Sequence, residues 1–140
     1  MSWIGWALLS AVFAAMTAVL AKIGVENVDA NLATAARTSV VVVFTWLLAY
    51  VTRQPQGLAQ LTPRSWLFLT LSGIATGSSW LCYFHALKIG EASRVAPLDK
   101  LSVVFVIPIA AVFLGERVTW SKGVGALLIL AGALVLVFDL

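Results

Sequence analysis

The sequence predicts an all-α fold: an integral membrane bundle of five transmembrane helices, forming one domain over residues 1–140. Three observations predict it. Hydrophobic residues make up 61% of the chain and charged residues only 11%, where soluble domains carry roughly a quarter charged, and mean hydropathy is +1.01. Five separate stretches reach the roughly 20 apolar residues needed to cross a bilayer. With five crossings, Trp3, Trp6, Trp46, Tyr50, Trp66 and Trp120 all fall near one membrane face, as amphipathic rings at headgroup level do.

The first helix is expected over residues 3–21, ending at Lys22. No lysine or arginine precedes this run and it exceeds a usual h-region, so it is expected to be a retained helix and not a cleaved signal. The second is expected over 31–51, with Arg37 as its one internal charge. The third is expected over 66–87, after a loop from Thr52 to Ser65 that contains the breakers Pro55, Gly57 and Pro63. The fourth is expected over 95–114, with Asp99 and Lys100 in its first turns. Pro97 falls in the first turn, where a missing N–H costs little, and Pro108 in mid-helix should kink it. The fifth is expected over 120–138. Short links at Gly24–Asp29, Gly90–Arg94 and Gly115–Thr119 return consecutive helices antiparallel.

Composition also excludes function classes. The net charge of +3 is the cationic flanking of membrane spans and implies membrane lipid, not nucleic acid, as the partner. One cysteine, Cys82, makes no intrachain disulfide. One cysteine and one histidine make no metal-ligand cluster, so no metal and no cofactor are expected. No nucleophile–base pair starts an argument for catalysis, and the chain is expected not to be an enzyme.

Candidate chemistry lies on ionised residues inside the spans. Arg37 is about six residues into the second helix, roughly 9 Å along its axis, and Thr34, Thr38, Val41 and Thr45 fall near its face. Asp99 and Lys100 enter the fourth helix to similar depth. A charge at the bilayer centre costs on the order of 2.5–3.5 kcal/mol. These groups are therefore expected to face inward, with Asp99 paired to Arg37 or to Lys100. The functional reading is a polar pocket that recognises a solute or carries a proton. The structural reading is an ion pair, with Arg37 and Lys100 snorkelling to the surface. On the third helix Ser72, Thr76, Ser79 and Tyr83 recur at helical spacing beside Trp80, a candidate lining of a solute path. His85 lies near the membrane edge and is, with Asp99, a candidate proton relay.

Small residues mark packing faces. Gly73 and Gly77 form a GxxxG pair on the third helix, and Gly125 and Gly132 share a face of the fifth. Side-chain cations barely distinguish the two membrane faces. Arg53, Arg64, Arg117 and Lys122 stand on one, and Lys22, Lys88 and Arg94 on the other, with Arg37 and Lys100 slightly inside. Orientation follows such asymmetry, so insertion in both orientations is an open alternative to one fixed orientation.

The stretch Tyr83-Phe84-His85-Ala86-Leu87-Lys88-Ile89-Gly90-Glu91-Ala92-Ser93-Arg94-Val95-Ala96-Pro97-Leu98 resembles the EamA-type unit of the drug/metabolite transporter superfamily. The resemblance continues through Phe113-Leu114-Gly115-Glu116-Arg117-Val118-Thr119-Trp120 and Gly125-Ala126-Leu127-Leu128-Ile129-Leu130-Ala131-Gly132. Most members of that family join two such units in inverted orientation, so the resemblance implies one unit of an inverted-repeat transporter. It also implies assembly, most simply an antiparallel homodimer. The chain departs from the family pattern at Asp99-Lys100 and Ser102-Val103, so no solute carries over. The related small multidrug resistance proteins use a carboxylate in the first helix; none is present here, which argues against that cation-efflux mechanism.

Two functions follow as expectations. The first is a secondary transporter or exporter of small polar metabolites in the cell's inner membrane, with Arg37, Asp99, Lys100, Trp80, Tyr83, Thr34 and Thr38 binding the small-molecule solute. The second is a non-transporting membrane subunit, whose glycine faces and charges dock a partner protein.

Overall fold

The computed structural model describes residues 2–52, 57 and 61–138. The described residues form six α-helices and no strand: α1 Trp3–Val25, α2 Ala30–Val51, α3 Pro63–Ile89, α4 Ala92–Asp99, α5 Ser102–Leu114 and α6 Trp120–Phe138. Five spans are long and apolar enough to cross a membrane, with α4 and α5 together making the fourth, Ala92–Leu114. Two expected loop features, Arg53 and Pro55, lie outside the described residues.

Helix ends depart from the hydropathy boundaries for local reasons. α1 runs through Lys22 to Val25, because a lysine in a last turn complements the helix dipole. Asp29 caps α2, its carboxylate accepting from the Asn31 and Leu32 N–H groups at 2.9 and 3.2 Å. Pro63 is not a loop breaker but the first residue of α3, a position where its absent N–H has no helical partner to lose. Thr62 caps that end, its Oγ1 accepting from Ser65 N–H at 3.1 Å. α5 stops at Gly115, whose φ of 68° is left-handed and turns the Glu116 N–H onto the Ala110 carbonyl at 3.3 Å.

The fourth span differs most from expectation. It begins at Ala92, three residues early, so Pro97 sits beyond the first turn. Its regular bonding breaks at Lys100–Leu101, seven residues before Pro108, and α5 continues helically through that proline. Around the break the bonds shorten to i→i+3: Leu101 N–H to Leu98 O at 3.0 Å, Val103 to Lys100 at 3.1 Å and Val104 to Leu101 at 2.9 Å. Such tightening keeps the backbone groups at the break paired.

By backbone proximity the chain divides into two compact units, residues 1–21 with 89–140, and residues 22–88. In the first, α4 and α5 both pack on α6. Arg94 ties the start of α4 to the end of α6 through the Val137 carbonyl at 3.4 Å. It also pairs with Glu91 at 3.1 Å. Lys122 anchors the 115–119 link through Glu116 Oε2 at 3.4 Å and the Arg117 carbonyl at 3.0 Å. In the second unit, Val25, Ala30, Thr34, Phe84 and Leu87 are buried. Two ammonium groups close that end: Lys22 Nζ donates to the Leu87 carbonyl at 2.7 Å and Lys88 Nζ to the Val28 carbonyl at 3.0 Å.

The Asp29 cap makes a pH prediction. The Leu32 and Asn31 N–H groups hold its carboxyl below the usual carboxylate range, with Lys88 and His85 adding attraction. A depressed pKa means the cap contributes above the unfolded value of about 4 and is lost as pH falls through the lower folded value. The stability gap between wild type and Asp29→Ala, measured by unfolding in lipid–detergent micelles, is expected to shrink as pH drops through that acid range. A gap that stays constant would show that the carboxylate charge does not form the cap.

Candidate functional site

Arg37 lies in the second turn of α2, between Thr34 and Thr38. Its guanidinium carbon stands 4.3 Å over the Trp80 ring and 5.5 Å from the Phe84 ring, both on α3. Trp80 and Phe84 are four residues apart, so one helix face presents both rings to the cation. Phe84 is only 3% exposed, while Arg37, Trp80 and Tyr83 are half-buried. Within residues 22–88, among the described residues, no carboxylate stands at ion-pair distance from Arg37 and no acceptor takes a hydrogen bond from it. Its nitrogens are not sealed off either, since no buried side-chain nitrogen among the described residues lacks a partner.

Asp99 and Lys100 belong to the other unit. Lys100 Nζ pairs with Asp99 Oδ2 at 3.1 Å, which meets one of the two expected pairings. The pair sits at the break in the fourth span, Asp99 ending α4 and Lys100 capping it, and not in the first turns of one long helix. A lysine at that end offsets both the carboxylate and the negative pole of α4.

Four threonines of the hydroxyl stripes donate to carbonyls of their own helices. Thr34 Oγ1 donates to Ala30 O and Thr38 Oγ1 to Thr34 O, each at 2.7 Å, and Thr45 Oγ1 to Val41 O at 2.8 Å. On α3, Thr76 Oγ1 donates to Ser72 O at 2.8 Å. These hydroxyls keep only acceptor capacity for anything else. His85 is exposed at the end of α3, its Nδ1 bonded to the Leu81 carbonyl at 2.9 Å. The expected glycine faces are open within their own units: a side-chain carbon at Gly73, Gly77, Gly125 or Gly132 would meet nothing within 4 Å there.

Two features escaped the sequence reading. Phe84 supplies the second ring on Arg37, and the Trp80–Phe84 spacing was the signal for it. Lys22 and Lys88 read as membrane-edge flanks but bond helix-end and loop carbonyls, and no local pattern marks that.

The EamA-like transporter family matches residues 1–138. A curated relative from Sinorhizobium sp, named an uncharacterized transporter in the cobO 3′ region, is 51% identical over 135 residues, covering 96% of this chain and 96% of that protein. No solved structure matches. Five membrane-crossing spans, an intramembrane arginine on an aromatic platform and a family match over nearly the whole length lead to one identification: the chain is a multi-pass membrane protein that belongs to the EamA-like transporter family.

Proposed function

We propose that the protein is a secondary transporter, an exporter of small polar metabolites in the inner membrane, and that it works as a dimer of five-helix units. The observation that carries this reading is Arg37, a permanently charged group inside a membrane span, stacked on Trp80. Intramembrane charges that are not consumed by an ion pair mark solute paths. Asp99, paired with Lys100 beside a helix break, is the second polar locus and the group suited to exchange a proton. Discontinuous helices serve such sites in transporters.

Dimerisation is supported by the near-equal lysine and arginine counts on the two faces and by glycine faces that nothing covers within their units. A relative spanned over 96% of its length is no longer than one such unit. An antiparallel pair of units supplies the inverted symmetry that alternating access uses.

Counterflow in proteoliposomes tests transport. Asp99→Asn is expected to reduce flux at least tenfold, and unchanged flux would remove Asp99 from the mechanism. Reporters fused to each terminus test the assembly. Mixed orientations support the antiparallel dimer, and a single orientation ends it. A fixed heteromeric partner captured by crosslinking, with no flux, would favour a non-transporting subunit.

A further inference from the structure

We infer that Arg37 is the recognition point for a carboxylate, which narrows the solute to monocarboxylates. This rests on the transporter reading and adds the chemical class of what the site holds.

A guanidinium cannot shed its charge in a protein, so its neighbours must accommodate it. Here the accommodation is one-sided. Rings at 4.3 and 5.5 Å stabilise the cation, but a ring accepts no conventional hydrogen bond in the guanidinium plane. The five N–H donors make no hydrogen bond among the described residues of the unit, yet they remain reachable. In lipid, donors left this way cost several kcal/mol each, so the edge of Arg37 must meet water or a polar ligand. A planar fork of parallel N–H groups matches a carboxylate with two bonds at once.

Among the described residues of the unit, the other cations stand at helix ends. Lys22 and Lys88 spend their ammonium groups on the Leu87 and Val28 carbonyls. Arg64, near the opposite end of α3, faces Phe68 at 5.8 Å. One cation suits one negative charge, which favours a carboxylate over a phosphate dianion. Neither acid of the unit pairs with Arg37: Asp29 caps α2 through two amides and Glu26 is exposed in the link between α1 and α2. Trp80 and Tyr83, both half-buried, offer apolar surface to the body of the same molecule.

The test uses the purified full chain in nanodiscs of neutral lipid, with benzoate as probe and benzamide as its uncharged analogue. Phenylglyoxal modification of Arg37, followed by peptide mass spectrometry, reads occupancy without requiring transport or a variant. Benzoate is expected to slow modification of Arg37 at least fivefold while leaving Arg64 unchanged, and benzamide to do nothing. Benzoate affinity in Arg37→Lys is expected to fall roughly tenfold or more, since an ammonium keeps the charge but lacks the fork. Equal protection by benzamide, or protection by phosphatidylglycerol but not by benzoate, would overturn the assignment, the latter making Arg37 a lipid-headgroup site. The two readings fail separately. Benzoate protection without counterflow of any carboxylate keeps the site and removes the transporter; counterflow indifferent to Arg37→Lys keeps the transporter and removes the site.

Discussion

Replacing Trp80 with alanine is expected to destabilise the protein by about 2–3 kcal/mol. Two losses combine. The Arg37 cation loses the ring 4.3 Å beneath it, and a half-exposed contact of this kind is worth about 1 kcal/mol. The ring's own packing is lost as well, discounted because Trp80 is only half-buried. Phe84, at 5.5 Å, stays as a poorer acceptor. Trp80→Phe should recover most of the loss, and Trp80→Leu, which keeps apolar bulk without a π face, should not. The measurement is reversible unfolding in mixed lipid–detergent micelles. A double-mutant cycle of Trp80→Leu with Arg37→Met isolates the pair. A coupling energy within error of zero would mean the two side chains are merely adjacent.

Lys22→Met is the second. Its ammonium reaches the Leu87 carbonyl at 2.7 Å. That carbonyl lies in the last turn of α3, where no later amide closes a helical bond. Leu87 is fully buried, at 0% exposure, so water does not readily replace the lost donor. A charged hydrogen bond contributes about 1.5–3 kcal/mol, and with Lys22 half-buried the expected loss is about 1.5 kcal/mol. Lys88→Met removes a longer bond at 3.0 Å from an exposed side chain, and its loss should stay below about 1 kcal/mol. Equal losses from the two substitutions would show that surface charge, and not the Leu87 bond, is what matters. The same contact has a functional consequence. It holds the end of α3 that carries Trp80 and Phe84, so loosening it should also weaken whatever Arg37 binds.

These two results concern residues that the sequence presented very differently. Arg37 and Trp80 stood out separately, one as a charge in an apolar run and the other as an aromatic beside hydroxyls, but nothing in the string joined them. Asp99 was expected to pair with Arg37 or with Lys100; it pairs with Lys100, while Arg37 stands over two rings. A ring can neutralise part of a cation's cost without carrying charge, and charge patterning does not register it. Threonine and serine at helical spacing suggest a polar path; Thr34, Thr38, Thr45 and Thr76 give their protons to carbonyls of their own helices and keep acceptor capacity toward such a path.

The membrane spans were legible because the force that makes them is local. About 20 apolar residues in lipid form a helix on their own, whatever stands beside them, so composition along the chain determined five spans and their order. The ends were legible to within a few residues, and the capping groups Asp29, Thr62 and Gly115 account for the remainder. What only the tertiary structure decided is the rotation of each helix about its axis and where the fourth span interrupts its bonding. Lipid is nearly indifferent to that rotation, because every face of an apolar helix is equally soluble in acyl chains. The choice falls to a few specific contacts, Arg37 on Trp80 and Lys22 on the Leu87 carbonyl among them, whose partners are distant in the sequence and carry no shared signal.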